Sequence, residues 1–218
     1  MPKIVDHAQR RTEIVHALWQ VIYLKGIDGV SFRSVAEAAG ISIGRVQHYF
    51  PSRSELILEG CRQIVDSAEA AGPEGADASS DPGSAEAVSA LREFCFAFIP
   101  TGETMRIGAS VWYTYVARAV MDEQIADIIR ASDRATLELG IRLYRAVGGG
   151  DGAAHADGTG GTDDSDGSDG TNGEVATAWA MRMIALGKGL AQEVMLDERS
   201  AASAKAILEA ELAPLVAP

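Results

Sequence analysis

Residues 31–53 read SFRSVAEAAGISIGRVQHYFPSR, and the punctuation of this run decides the fold. Ser31 offers its hydroxyl to a free backbone N–H at the start of a helix. Phe32, Val35, Ala36 and Ala39 then recur on one face at helical spacing. Gly40 is the expected stop, because the left-handed conformation at a helix end costs glycine little. Ile41 is expected under the turn, Ser42 caps a second helix, and Val46 and Phe50 are its inward pair. Two short helices about a glycine turn form a helix-turn-helix unit, whose second helix fits the DNA major groove.

The inward pair leaves Ile43, Arg45, Gln47, His48 and Tyr49 outside or at the edges of the second helix. Arg forks onto guanine, Gln onto adenine, and Tyr reaches a phosphate. The competing reading is an ordinary solvated polar face. Pro51 ends this helix, and Ser52-Arg53-Ser54-Glu55 is a capping-box pattern that opens another. The free N–H groups of that first turn favour anions, so a DNA phosphate is expected beside Arg53. Arg33 is placed to reach the DNA backbone, and the capping residues Ser31 and Ser42 complete the expected contact set.

The run VAEAAGISIGRVQHYFPSRSEL, residues 35–56, resembles the N-terminal DNA-binding region of the TetR family of bacterial transcriptional regulators. The glycine turn, the small residue after the second cap, the H-Y-F triplet and the following basic residue match in order. The resemblance covers about residues 8–70 and is similar in spelling, at R-V-Q-H-Y-F, to the choline-responsive subgroup. Gln47 stands where that pattern often has tyrosine, and Ile43 where it has a polar residue. The resemblance implies an all-α protein with a C-terminal helical domain for ligand binding and dimerisation, whose last two helices pair with their copies in a second subunit.

Composition limits the alternatives. A chain of 218 residues can bury a sizeable core. Its net charge of −12 is unevenly placed. Residues 1–70 hold eight Lys/Arg and eight Asp/Glu, whereas residues 71–218 hold 11 and 23. An acidic body repels phosphate and a neutral head does not, so only the head is a plausible DNA contact. Cys61 and Cys95 lack metal-site spacing and read as apolar core residues of a reducing compartment. No 18-residue apolar run and no signal-peptide pattern is present, so no membrane partner and a cytoplasmic location are expected.

In chain order, Pro2–Gln9 is expected as a frayed lead-in and a bracing helix from about Asp6 to Leu24, with Ile14, Leu18, Val21 and Ile22 inward. Domain limits are set at residues 1–52 for the helix-turn-helix, 53–71 for a connecting helix and 72–218 for the regulatory body. A Gly, Pro, Ser and Asp-rich loop at 71–84 marks the boundary. The body reads as five helices. Their expected inward residues include Val88, Leu91, Phe94, Cys95 and Phe98, then Met105, Val111, Trp112, Tyr115, Val116 and Ala119, then Ile125, Ile128, Ile129, Leu137, Ile141 and Tyr144. The last two helices carry Val175, Ala178, Trp179, Arg182, Met183, Leu186, Leu190 and Val194, then Ala204, Ile207, Leu208 and Leu212 up to Pro214. Ala180, Ala185, Gly187, Gly189 and Ala191 allow close helix approach.

Residues 148–173 hold ten Gly, six Asp and no Lys or Arg, a composition that cannot offset its ordering entropy and reads as a disordered insertion. A calcium loop starting at Asp163 fails, because Ser165, Gly167 and Ser168 stand where ligands and the turn glycine belong. His155 has no companion. No metal and no cofactor is expected.

Nor does the sequence hold a nucleophile with a paired base, an H-E-x-x-H run or a phosphate loop, so no enzyme is expected. Phe94, Phe98, Met105, Arg106, Trp112, Tyr115 and Trp179 are the candidates for an apolar effector pocket, with Arg106 its polar group. The expected function is a dimeric regulator of double-stranded DNA, a repressor released from a palindromic operator by an unidentified small molecule. The alternative is a helical binding or interaction protein without DNA-binding activity.

Overall fold

The computed structural model describes residues 7–70, 83–148 and 168–216. Among them are nine α-helices, one turn of 3₁₀ helix and no strand. They are α1 (His7–Lys25), α2 (Phe32–Ala39), α3 (Ile43–Tyr49), α4 (Arg53–Ala70), α5 (Ala85–Phe96), α6 (Gly102–Ala119), α7 (Glu123–Ala146), α8 (Ser168–Met195) and α9 (Ala201–Val216). The all-α class expected from the periodicity is the one observed.

Contacts divide the chain into two compact units. The first comprises residues 1–71 and 102–132, the second residues 72–101 and 133–218, with the division falling inside α7. Helix α6 therefore belongs with the head, where it packs on α1 and α4, although its sequence position lies within the expected body.

The head is built on a continuous apolar core. Ile14, Leu18, Val21 and Ile22 of α1 are buried, as are Val35, Val46, Phe50, Leu56, Cys61, Val111, Tyr115 and Ile125. Local chemistry sets the helix ends. Ser31 Oγ accepts from the Ser34 backbone N–H, and Ser34 Oγ accepts from the Ser31 N–H, closing a capping box. Gly40 takes the left-handed conformation at φ 65° and Ile41 packs against the core. Ser42 Oγ accepts from the Arg45 N–H at 3.3 Å, and Ser52 Oγ from the Glu55 N–H at 3.1 Å.

The second unit has its own core of Leu91, Phe94, Cys95, Leu143, Tyr144, Trp179, Met183, Leu190, Leu208 and Leu212. Small residues allow its helices to close. A Cβ on Gly187 would stand 2.9 Å from Cγ of Phe98, and one on Gly140 would stand 3.1 Å from Cζ of Phe94. Arg92 and Glu209 join α5 to α9 through a pair of parallel bonds.

Several expectations are corrected. Met105 and Val116 are 41% and 38% exposed rather than inward, because α6 turns Val111 and Tyr115 into the head core instead. Ala178 and Arg182 are also exposed. Helix α9 runs through Pro214 to Val216; the missing N–H leaves one carbonyl of the preceding turn, that of Ala210, without its helical donor. Helix α8 starts at Ser168, so the last six residues of the Gly/Asp-rich segment are helical. Residues 149–167, most of the expected insertion and with it His155 and Asp163, lie outside the described residues, as do 71–82 of the boundary loop and 1–6 of the expected lead-in. His7–Gln9, also expected frayed, are helical.

Candidate nucleic-acid interface

The second short helix, α3, has one buried and one open side. Val46 and Phe50 are fully buried. Ser42, Ile43, Gly44, Arg45, Gln47 and His48 are exposed, and Tyr49 is half-buried at the edge. Ser31 and Arg33 on the preceding helix are exposed too. Neither Arg33 nor Arg45 makes an ion pair with another described residue. A Cβ added at Gly44 would meet nothing within 4 Å, so the start of α3 is unobstructed. The exposed set includes two guanidinium groups with no ion pair among the described residues, the chemistry that suits base edges and phosphates.

At the far end of α3, Tyr49 is held by aromatic neighbours. Its ring centroid lies 4.6 Å from that of His7 and 5.2 Å from that of His48, with the two histidines 6.5 Å apart. Arg53 is exposed but committed: Nε donates to the Val30 carbonyl at 2.7 Å and Nη2 to the Ile27 carbonyl at 2.7 Å. It staples the start of α4 to the turn before α2. A phosphate at that helix start would share a guanidinium already bonded twice.

Arg11 of α1 escaped sequence reasoning. Its Nη1 donates to the Tyr49 carbonyl at 2.8 Å across 38 residues of sequence. Its Nη2 lies 3.3 Å from Oε2 of Glu59, and its guanidinium carbon lies 4.4 Å above the Phe50 ring. The basic character of Arg10-Arg11 was visible in the sequence, but not its distant partners.

Residues 14–59 match the family model described as "Bacterial regulatory proteins, tetR family". The helix-turn-helix region is thus similar to that of TetR-family regulators. The chain is 46% identical over 57 residues to the HTH-type transcriptional regulator PksA of Bacillus subtilis (strain 168), covering 26% of this chain and 28% of that protein. It is 31% identical over 135 residues to the regulator BetI of Stenotrophomonas maltophilia (strain R551-3), covering 62% of this chain and 66% of the relative. The chain thus matches about a quarter of one curated TetR-family relative and just under two thirds of the other. The fold is similar to the crystal structure of a Saccharomonospora viridis transcriptional regulator in complex with choline, with TM-score 0.74, 19% identity, and 94% of this chain and 96% of that chain covered.

The candidate pocket residues separate between the units. Met105, Arg106, Trp112 and Tyr115 lie on α6 in the first unit, and Phe94, Phe98 and Trp179 in the second. Tyr115 is fully buried; Arg106 and Trp112 are half-buried. In the second unit Trp179 stacks on Tyr144 with centroids 4.7 Å apart, and Phe94 meets Phe98 edge to face at 5.6 Å. Burial pushes the Cys61 and Cys95 thiols up to about 11 and about 12, so neither is an activated nucleophile. Among the described residues no group of three or more His, Cys, Asp or Glu side chains is placed to hold a metal ion. No described helix is long and apolar enough to cross a membrane.

Proposed function

We propose that the protein is a cytoplasmic, homodimeric repressor that reads a near-palindromic operator in double-stranded DNA through α3. The observation that carries this reading is the division of α3 itself. Val46 and Phe50 anchor it in the core, and Arg45, Gln47 and His48 are exposed. Arg33 and the helix-start serines Ser31 and Ser42 are exposed too, and Arg53 and Tyr49 complete the set.

Dimerisation is supported by α8. Ala178, Met181, Ala185 and Gly189 recur on its exposed side at helical spacing, with Met181 58% exposed. A second copy of the chain, contributing the same α8 and α9 surface, fits such a self-complementary stripe. Two reading heads then address half-sites about 34 Å apart.

Release by a small molecule follows if that molecule binds better to a form of the dimer whose heads are misplaced. A tenfold loss of operator affinity requires only about 1.4 kcal/mol of such coupling. The aromatic groups Phe94, Phe98, Tyr144 and Trp179 suit an apolar or cationic effector. Choline, bound by the Saccharomonospora viridis neighbour, is the first compound to try. The test is sedimentation of purified protein with the DNA it selects, with and without choline. Two protomers per site support the dimer, and choline-driven dissociation supports that effector class. One protomer per site contradicts the dimer. A protein that selects no DNA but binds a ligand returns the weight to the helical binding protein.

A further inference from the structure

Helix α3 has only seven residues, too few to hold its own position. Its N-terminal end is fixed by Ser42. Its C-terminal end presents carbonyls that no further turn can satisfy. Arg11 meets this end in three ways: the bond from Nη1 to the Tyr49 carbonyl at 2.8 Å, the guanidinium 4.4 Å over Phe50, and Nη2 3.3 Å from Glu59 of α4. Glu59 is itself oriented by Gln63, whose Nε2 donates to Oε1 at 2.9 Å. A cation at a helix C-terminus is also favoured by the helix dipole. Only a planar fork can make the three contacts together.

We propose that Arg11 is a positioning residue for sequence recognition: it ties the Tyr49–Phe50 end of α3 to α1 and α4 and so fixes the angle at which Arg45, Gln47 and His48 meet base edges. The proposal rests on the DNA-binding reading of α3. Arg11 sets the discrimination between sequences, whereas a phosphate-binding arginine raises affinity for every sequence alike.

The test compares wild type, Arg11→Lys and Glu59→Gln on the DNA that wild type selects and on a scrambled duplex, across a salt series. Thermal melts first establish a temperature at which each variant is folded. The proposal expects the ratio of selected to scrambled affinity to fall about tenfold in Arg11→Lys, the scale of one lost charge-assisted hydrogen bond. Scrambled-duplex affinity and salt slope stay as in wild type. Glu59→Gln is expected to lower the same ratio, because the fork loses its anchor on α4. An unchanged ratio in Arg11→Lys overturns the proposal. So does a salt slope smaller by about one with an intact ratio, the mark of a lost phosphate contact, or tighter binding of both duplexes by Glu59→Gln without loss of ratio. If wild type itself prefers no sequence, the DNA-binding reading fails and the positioning role fails with it; an intact wild-type preference with unaffected variants removes the positioning role alone.

Discussion

The hydroxyl of Tyr115 rests on the backbone of Gly60, so closely that a Cβ at position 60 would lie 2.4 Å from that oxygen and 2.5 Å from Cδ2 of Leu18. Helices α1, α4 and α6 meet at this point. The indole of Trp19 crosses the same junction, donating to the Gly60 carbonyl at 3.1 Å. Gly60→Ala is therefore expected to destabilise the head by about 1–3 kcal/mol, the usual cost of overpacking a core. Urea denaturation measures it.

The Tyr115 hydroxyl is buried without a hydrogen-bond partner among the described residues. Burial raises its pKa above the ordinary tyrosine value. An unpaired buried hydroxyl costs about 1–3 kcal/mol, so Tyr115→Phe is expected to leave stability unchanged or raise it. A loss beyond about 1 kcal/mol in the same denaturation assay would show that the hydroxyl has a partner in solution.

Gly44 lies in the first turn of α3, with open space where a side chain would stand. Alanine there is expected to raise stability by about 0.5–1 kcal/mol through helix propensity. If DNA approaches this turn closely, the same methyl group weakens DNA binding. Opposite signs for melting temperature and DNA affinity are the expected pair.

Alkaline pH is expected to destabilise the fold through its buried thiols. In the native state Cys61 and Cys95 are raised from the ordinary 9.0 to about 11 and about 12, chiefly by burial. The folded protein therefore binds more protons than the unfolded chain over this range. The stability from these protonated thiols is present below pH 9.0 and is lost as pH rises through the native values. Melting temperatures from pH 8 to pH 11 should fall, and replacing both cysteines by alanine should flatten the slope.

Much of the head was legible because its signals are local. Ser31, Gly40 and Ser42 act within a few residues of themselves, and Val46 and Phe50 share a face by spacing alone. What was not legible lies at long range. Arg53 reads as a phosphate ligand from its place in a helix first turn, yet its guanidinium reaches back to carbonyls 23 and 26 residues earlier. Arg11 has no local pattern at all. Met105 and Val116 fit the apolar stripe of α6, but the face that α6 buries is chosen by α1 and α4, which periodicity within α6 does not encode. In α8 the small residues divide: Ala180, Gly187 and Ala191 are buried, whereas Ala185 and Gly189 face outward. A composition count treats all five alike.

The central claim is that α3 reads DNA sequence. Its most direct test is to recover the genomic fragments bound by purified protein at two salt concentrations, for wild type and for Arg45→Ala. Arg45 is exposed and its side chain has no ion pair among the described residues, so its loss should leave stability within about 0.5 kcal/mol. Wild type is expected to enrich a single inverted repeat, with affinity falling steeply as salt rises, and the folded variant to lose that enrichment. No enrichment by wild type at either salt, or the same repeat enriched by Arg45→Ala, would contradict the claim.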